Sequence, residues 1–201
     1  MNSTDLSRPH VFVPGARRTL LLLHGTGADE YDLLRLGGAL DDEAALLSPR
    51  GMVSENGMNR FFERRSDGSF VQESIAQAVD ELSLFLAAAA ASYQYPGELF
   101  AAGFSNGANT ALALLVTNPE LLSGVIAFGA TKPLLDTPKV DLSGKRVWIA
   151  NGEHDPYAPE AITEQWVAEL RELGANVSWL RHPGGHQISP AHIQQIASEL
   201  A

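Results

Sequence analysis

Short apolar runs without polar alternation, set between longer segments of helical period, constrain this sequence more than any other feature. TLLLLHG, ELFAAGF and RVWIANG show no in-and-out pattern, as expected of strands covered on both faces in a parallel sheet. Strand candidates lie at 11–13, 20–23, 45–48, 99–104, 124–128, 146–150 and 177–180. Helical period marks 32–40, 71–93, 106–117, 159–173 and 190 to the end; in the second of these Ile75, Val79, Leu82 and Leu86 share one face. Gly174 follows the fourth as a C-terminal stop. This order predicts an α/β fold: a mostly parallel central sheet with helices on both faces and right-handed crossovers. Function in such sheets gathers at the carboxyl ends of the strands, so the loops after Leu23, Ser48, Phe104, Ala150 and Leu180 are the places to search.

Composition narrows the chemistry. At 201 residues the chain suits a single domain over 1–201, able to bury about 70% of its unfolded surface. No cysteine is present, which excludes disulfides, thiolate metal sites and a thiol nucleophile. A net charge of −10 opposes a phosphate backbone and argues against nucleic acid as a partner. The longest apolar run, 84–91, is far shorter than the ~20 residues that span a bilayer. The opening MNSTDLSRPH lacks the apolar core of a signal peptide. A cytoplasmic protein without membrane insertion is the expectation. No His and carboxylate spacing suits a metal, so neither metal nor other cofactor is expected.

After ELFAAGF comes Gly103-Phe104-Ser105-Asn106-Gly107, a G-x-S-x-G that runs directly into the helical ANTALALLV. At a strand-to-helix junction this motif forces a serine onto a tight turn above the sheet, with small flanking residues because the backbones come close. The bland alternative is a serine that merely caps the helix. A serine nucleophile needs a base and an acid, in the chain order Ser, Asp or Glu, His. Asp155, in the loop beyond RVWIA, is the preferred acid and Glu153 the alternative. His186, after the glycine pair of RHPGGH, is the preferred base, with His182 as competitor. His10 and His192 read as lone surface histidines, and His154 belongs to the wrong loop. An oxyanion hole needs two backbone N–H donors. Asn106, after the nucleophile, is one; Thr26, in the LLLLHGTGADEYD loop that Gly25 and Gly27 let curl, is the other. Asp29 and Asp32 read as caps of the next helix.

At these residues the chain resembles the α/β-hydrolase superfamily and, within it, the phospholipase/carboxylesterase family of acyl-protein thioesterases and small bacterial esterases. The likeness runs from LLLLHGTGADEYDLL through GFSNGAN and NGEHDPYAP to GGHQIS. It implies an α/β-hydrolase fold with Ser105 as nucleophile, Asp155 as acid, His186 as base, and Thr26 and Asn106 as oxyanion donors. The segment SPRGMVSENGMNRFFERR is similar to the bacterial branch of hydroquinone-resistance hydrolases. Acyl-protein thioesterases carry a glutamine after the nucleophile and a tryptophan in a later loop, where this chain has Asn106 and Phe61-Phe62.

That segment places Met52, Met58, Phe61 and Phe62 beside a strand end, so Phe61, Phe62 and Met58 are pocket candidates. Arg60, Arg64 and Arg65 either meet a substrate carboxylate or form a solvated, ion-paired face. The chain has no insertion large enough for a lid domain. The reading is a serine carboxylesterase for small soluble esters, as monomer or homodimer. Alternatives are a thioesterase or lysophospholipase with a longer acyl pocket, and a non-turnover sensor of quinol-like aromatics.

Overall fold

A computed structural model describes residues 6–201. Its main sheet has seven strands: β1 (His10–Val13), β2 (Thr19–Leu23), β3 (Ala45–Pro49), β6 (Leu99–Phe104), β7 (Gly124–Phe128), β8 (Arg146–Gly152) and β9 (Asn176–His182). They lie in the order β1-β3-β2-β6-β7-β8-β9, with β1 antiparallel to β3 and every other pair parallel. Each expected strand forms, the differences lying at the ends, where ladder pairing to a neighbour carries β8 and β9 beyond the apolar run. A separate hairpin, β4 (Val53–Glu55) and β5 (Met58–Arg60), falls where no element was expected. Its three-residue strands are too short and too polar for a periodicity signal. Its turn, Asn56-Gly57 with φ of 53° and 78°, was nevertheless written in the sequence as a two-residue hairpin turn.

Five helices cover the sheet: α1 (Leu34–Leu40), α2 (Gln72–Tyr93), α3 (Asn106–Thr117), α4 (Glu160–Glu172) and α5 (Pro190–Leu200). The alternation of β2 side chains shows how the faces divide. Leu21 and Leu23 join α2, α3 and α4 in one core cluster, while Leu20 and Leu22 join α1 and α5 in a second. Because α3 sits over the middle of the sheet, it is buried at every residue from Asn106 to Val116, most of them small or apolar and the polar Asn106, Asn109 and Thr110 hydrogen-bonded. By length and composition α2 alone among the described residues could cross a membrane; here the Ile75, Val79, Leu82 and Leu86 face is buried in the first cluster. At the end of α4, Gly174 at φ 96° supplies the left-handed stop. The N–H of Ala175 and of Gly174 then close on Leu170 O and Arg171 O, both at 3.0 Å.

Two expectations are corrected. Asp29 and Asp32 do not cap α1: the helix starts at Leu34, with Leu33 at its N-cap and no side-chain cap. Successive turns occupy the intervening residues, and Asp29 Oδ1 accepts instead from Tyr31 N–H at 3.0 Å. His10 and His192 are not lone surface residues. His192 is buried edge-on to His182 at 5.3 Å, and His10 Nε2 meets the Tyr93 hydroxyl at 2.6 Å.

The buried α3 sets the first test. Leu112, fully buried at its centre, should cost about 2–5 kcal/mol when cut to alanine. Urea unfolding with an unchanged m-value measures it.

Candidate active site

One residue separates the end of β6 from the start of α3, and that residue is Ser105. Turning the chain there puts Ser105 at φ 54°, ψ −115°, a conformation that costs a non-glycine residue about 1–3 kcal/mol and survives only where its surroundings enforce it. Three bonds do so. Ser105 N–H donates to Phe128 O at the end of β7 at 2.9 Å, and Ser105 O accepts from Asn109 N–H at 3.0 Å and from Asn109 Nδ2 at 2.9 Å. The flanking glycines are required by closeness: a Cβ on Gly107 would lie 2.0 Å from Leu23 O, and one on Gly103 2.6 Å from Gly107 C.

Loops from β8 and β9 meet this serine. His186 Nε2 stands 2.9 Å from Ser105 Oγ, and His186 Nδ1 stands 2.7 Å from Asp155 Oδ2. The Asp155 carboxylate is wholly buried, and its Oδ1 accepts Tyr157 N–H at 2.8 Å. Phe104 and Tyr157 flank the imidazole, with ring centres 4.8 and 4.9 Å away. Of the alternatives, Glu153 is exposed and His182 lies outside this chain of contacts. His182 staples the loop that carries His186: its Nδ1 accepts Gly184 N–H at 3.0 Å, and its Nε2 reaches Gln187 O at 3.2 Å.

Thr26, Ser105 and Asn106 line one cleft. Among the described residues the backbone N–H of Thr26 and that of Asn106 donate to no protein acceptor, and Asn106 opens α3, where the helix dipole favours negative charge. The Thr26 loop is braced from below. Buried His24 joins its Nδ1 to Gly25 O at 2.7 Å and accepts Gly51 N–H on Nε2 at 2.9 Å. Buried Glu30 takes a two-pronged contact from Arg50, at 2.5 and 2.7 Å. Burial pushes the His24 imidazole below its ordinary range, partly offset by its bond to Gly25 and by the carboxylates of Asp32, Asp29 and Glu30.

The pocket candidates part company. Phe62 lines the cleft. Phe61 is buried against His24, with ring centres 4.8 Å apart, and Met58 is exposed and stands over Gly27; neither is among the cleft's lining residues. The hairpin is bound to the Thr26 loop, Asn59 O accepting Gly27 N–H and Asn59 Nδ2 donating to Ala28 O, each at 2.9 Å. Arg60 and Arg64 both line the cleft, Arg60 paired with Glu55 at 3.0 Å, and Arg65 lies on the surface beside it.

Sequence reasoning missed a set of buried amides that join these loops. Asn106 accepts Phe61 N–H on Oδ1 at 2.7 Å and donates from Nδ2 to Phe62 O at 3.2 Å. Asn109 accepts Thr131 N–H at 3.0 Å. Asn151 both accepts from and donates to the backbone of Ala130, at 3.0 and 2.8 Å. The available signal was the burial of asparagine in an apolar helix and at an apolar strand end, which is tolerated only with partners. No three His, Asp or Glu side chains among the described residues form a set of metal ligands.

Residues 14–201 match the model of the family described as phospholipase/carboxylesterase. The chain belongs to that family. A relative from Bacillus subtilis (strain 168) that carries a hydrolase name, MhqD, is 39% identical over 188 residues, covering 92% of this chain and 94% of that protein. The Bacillus cereus carboxylesterase structure superposes with a TM-score of 0.93 at 37% identity, over 98% of this chain and 95% of the other. A Mesorhizobium loti carboxylesterase gives 0.90 at 28% identity, over 98% and 96%. This phospholipase/carboxylesterase family member is thus a carboxylesterase-type hydrolase with the α/β-hydrolase fold.

Two measurements probe the bracing. Asn106→Ala retains the backbone N–H but leaves Phe61 N–H and Phe62 O unpaired, at about 1–3 kcal/mol for each buried group, as urea unfolding would register. A lowered His24 means the folded protein binds fewer protons than the unfolded chain. Stability is therefore full above the ordinary histidine range and declines as pH falls through it. The drop in Tm between about pH 7.5 and 5 should be smaller in His24→Gln than in the parent protein.

Proposed function

We propose that the protein hydrolyses carboxylic esters through an acyl-enzyme on Ser105. The observation that carries this reading is the continuous run of contacts from the buried Asp155 through His186 to Ser105 Oγ, beside two unspent backbone donors. Ser105 Oγ attacks the ester carbonyl carbon and passes its proton to His186 Nε2. The carbonyl oxygen becomes an anion, which the N–H groups of Thr26 and Asn106 receive. The carbon–oxygen bond to the alcohol then breaks, and His186 returns the proton to the departing oxygen. Water attacks the acyl-Ser105 ester by the same route, releasing the carboxylate and restoring the serine. Asp155 holds the imidazole with its proton on Nδ1 and steadies the cation formed in each half-reaction.

The cleft over Ser105 is only about 20 Å³, room for the reacting atoms and little more. A groove of about 590 Å³ adjoins it, sharing Arg64, Phe70 and Tyr157 with the cleft. The groove supports a second reading, that one arm of the substrate is longer than a short acyl group. A chain-length series of p-nitrophenyl esters separates the two: kcat/KM that peaks at two to four carbons favours small esters, and a peak at eight or beyond favours the longer arm.

A fluorophosphonate probe should label the parent protein and fail to label Ser105→Ala. Asp155→Asn, which disturbs the tautomer and leaves the shape, should lower kcat by about 10³–10⁴-fold. Undiminished labelling of Ser105→Ala would sink the assignment.

A further inference from the structure

We infer that Arg64 is a carboxylate-binding site for the substrate, so that the preferred esters carry an anionic group on the arm that leaves Ser105 along the adjoining groove. The inference rests on the esterase reading of Ser105 and adds the class of substrate.

The charges around the cleft single out Arg64. Arg60, which lines the cleft as well, has its charge balanced by Glu55 at 3.0 Å, Lys132 in the groove is held by Glu169 at 2.7 Å, and the exposed Arg65 lies beside the Asp67 carboxylate. Arg64, half-buried, has no carboxylate partner among the described residues. Its Nε donates to Gly68 O at 2.7 Å, and among the described residues its two terminal amino groups have no protein acceptor. The guanidinium carbon lies 5.2 Å from the centre of the Tyr157 ring and 5.9 Å from that of Phe70. A cation partly withdrawn from water, with its fork of donors unspent, is matched to a planar bidentate acceptor from outside the chain.

The side chain is also held in place. Residues 65–69 form a tight turn in which Gly68 N–H donates to Arg65 O at 2.9 Å and Arg65 N–H to Ser69 O at 2.8 Å. Asp67 Oδ1 accepts Ser69 N–H at 2.9 Å. Gly68 has φ 89°, and a Cβ there would stand 3.2 Å from an Arg64 terminal nitrogen, so the turn both needs glycine and leaves the guanidinium its seat. Donors fixed before binding lose little entropy when the anion arrives.

Position supplies the link to substrate. Arg64 lines the Ser105 cleft and the groove together. The groove's remaining walls are largely apolar, with Phe70, Leu134, Leu135, Tyr157 and Ile162. An ester with an apolar arm and a carboxylate satisfies both the walls and the cation. In a chain of net charge −10, a cation without a carboxylate partner at the cleft offsets part of the repulsion such a substrate would meet.

Steady-state kinetics on two matched pairs tests this. Mono-p-nitrophenyl glutarate against p-nitrophenyl pentanoate puts the carboxylate on the acyl arm. 3-(Carboxymethyl)phenyl acetate against 3-methylphenyl acetate puts it on the alcohol arm. In one pair the anionic member should have a kcat/KM about tenfold above its neutral partner. That ratio should collapse toward one in Arg64→Met, survive in part in Arg64→Lys, and shrink in about 0.5 M NaCl. Because both members meet the same Ser105, the ratio is insulated from general loss of activity. Arg64→Lys, the gentler change, keeps the test open should Arg64→Met not fold. A neutral member favoured in both pairs, or a ratio that folded Arg64 variants leave unmoved, overturns the inference. Absence of turnover on every ester, with no fluorophosphonate labelling of Ser105, would instead defeat the esterase reading beneath it.

Discussion

The arrangement turns on the backbone of Ser105. A strand in the middle of a parallel sheet must pass into a helix lying directly over it, and a single residue makes that turn in a conformation that side chains other than hydrogen resist. The strain is tolerated because β7 accepts the Ser105 N–H, α3 donates twice to its carbonyl, and Gly103 and Gly107 let the neighbouring backbones close in. The same turn that strains the serine lifts its hydroxyl above the sheet and leaves the first N–H of α3 unspent beside it. The candidate nucleophile and one candidate oxyanion donor therefore come from one local constraint.

What surrounds the serine is held by buried polar groups that bridge distant loops. Asn106 pins 61–62, Asn109 pins Thr131, Asn151 pins Ala130, and His24 pins Gly51. Each bonds to backbone, and Asn151 to the Thr163 hydroxyl as well, so burial is offset and the loops lose freedom. Asn106, the residue after Ser105, is the part that fixes Phe61 and Phe62. Those bracing groups all have protein partners; the terminal amino groups of Arg64, at the edge of the cleft, have none among the described residues.

Local sequence was most legible where burial is uniform. The strands of the sheet and the start of α3 follow from apolar runs and from the G-x-S-x-G junction, because a strand covered on both faces has no polar alternative. It was least legible where polar or short segments are ordered by what they touch. The β4–β5 hairpin shows no apolar period, His192 is buried only because α5 packs beside His182, and α1 starts two residues late because turns precede it.

The sequence by itself determined the α/β layout, the strained serine junction, and the short set of acids and bases able to serve it, since those depend on periodicity and on residues adjacent in the chain. Only the tertiary structure brings Asp155 and His186, rather than Glu153 and His182, into one run of contacts with Ser105, and it alone places Phe62 in the cleft and Phe61 outside it. Those choices depend on distances between loops that are far apart along the chain. A change of one residue in where a side chain points decides whether it meets the serine or the core, and no local pattern records it.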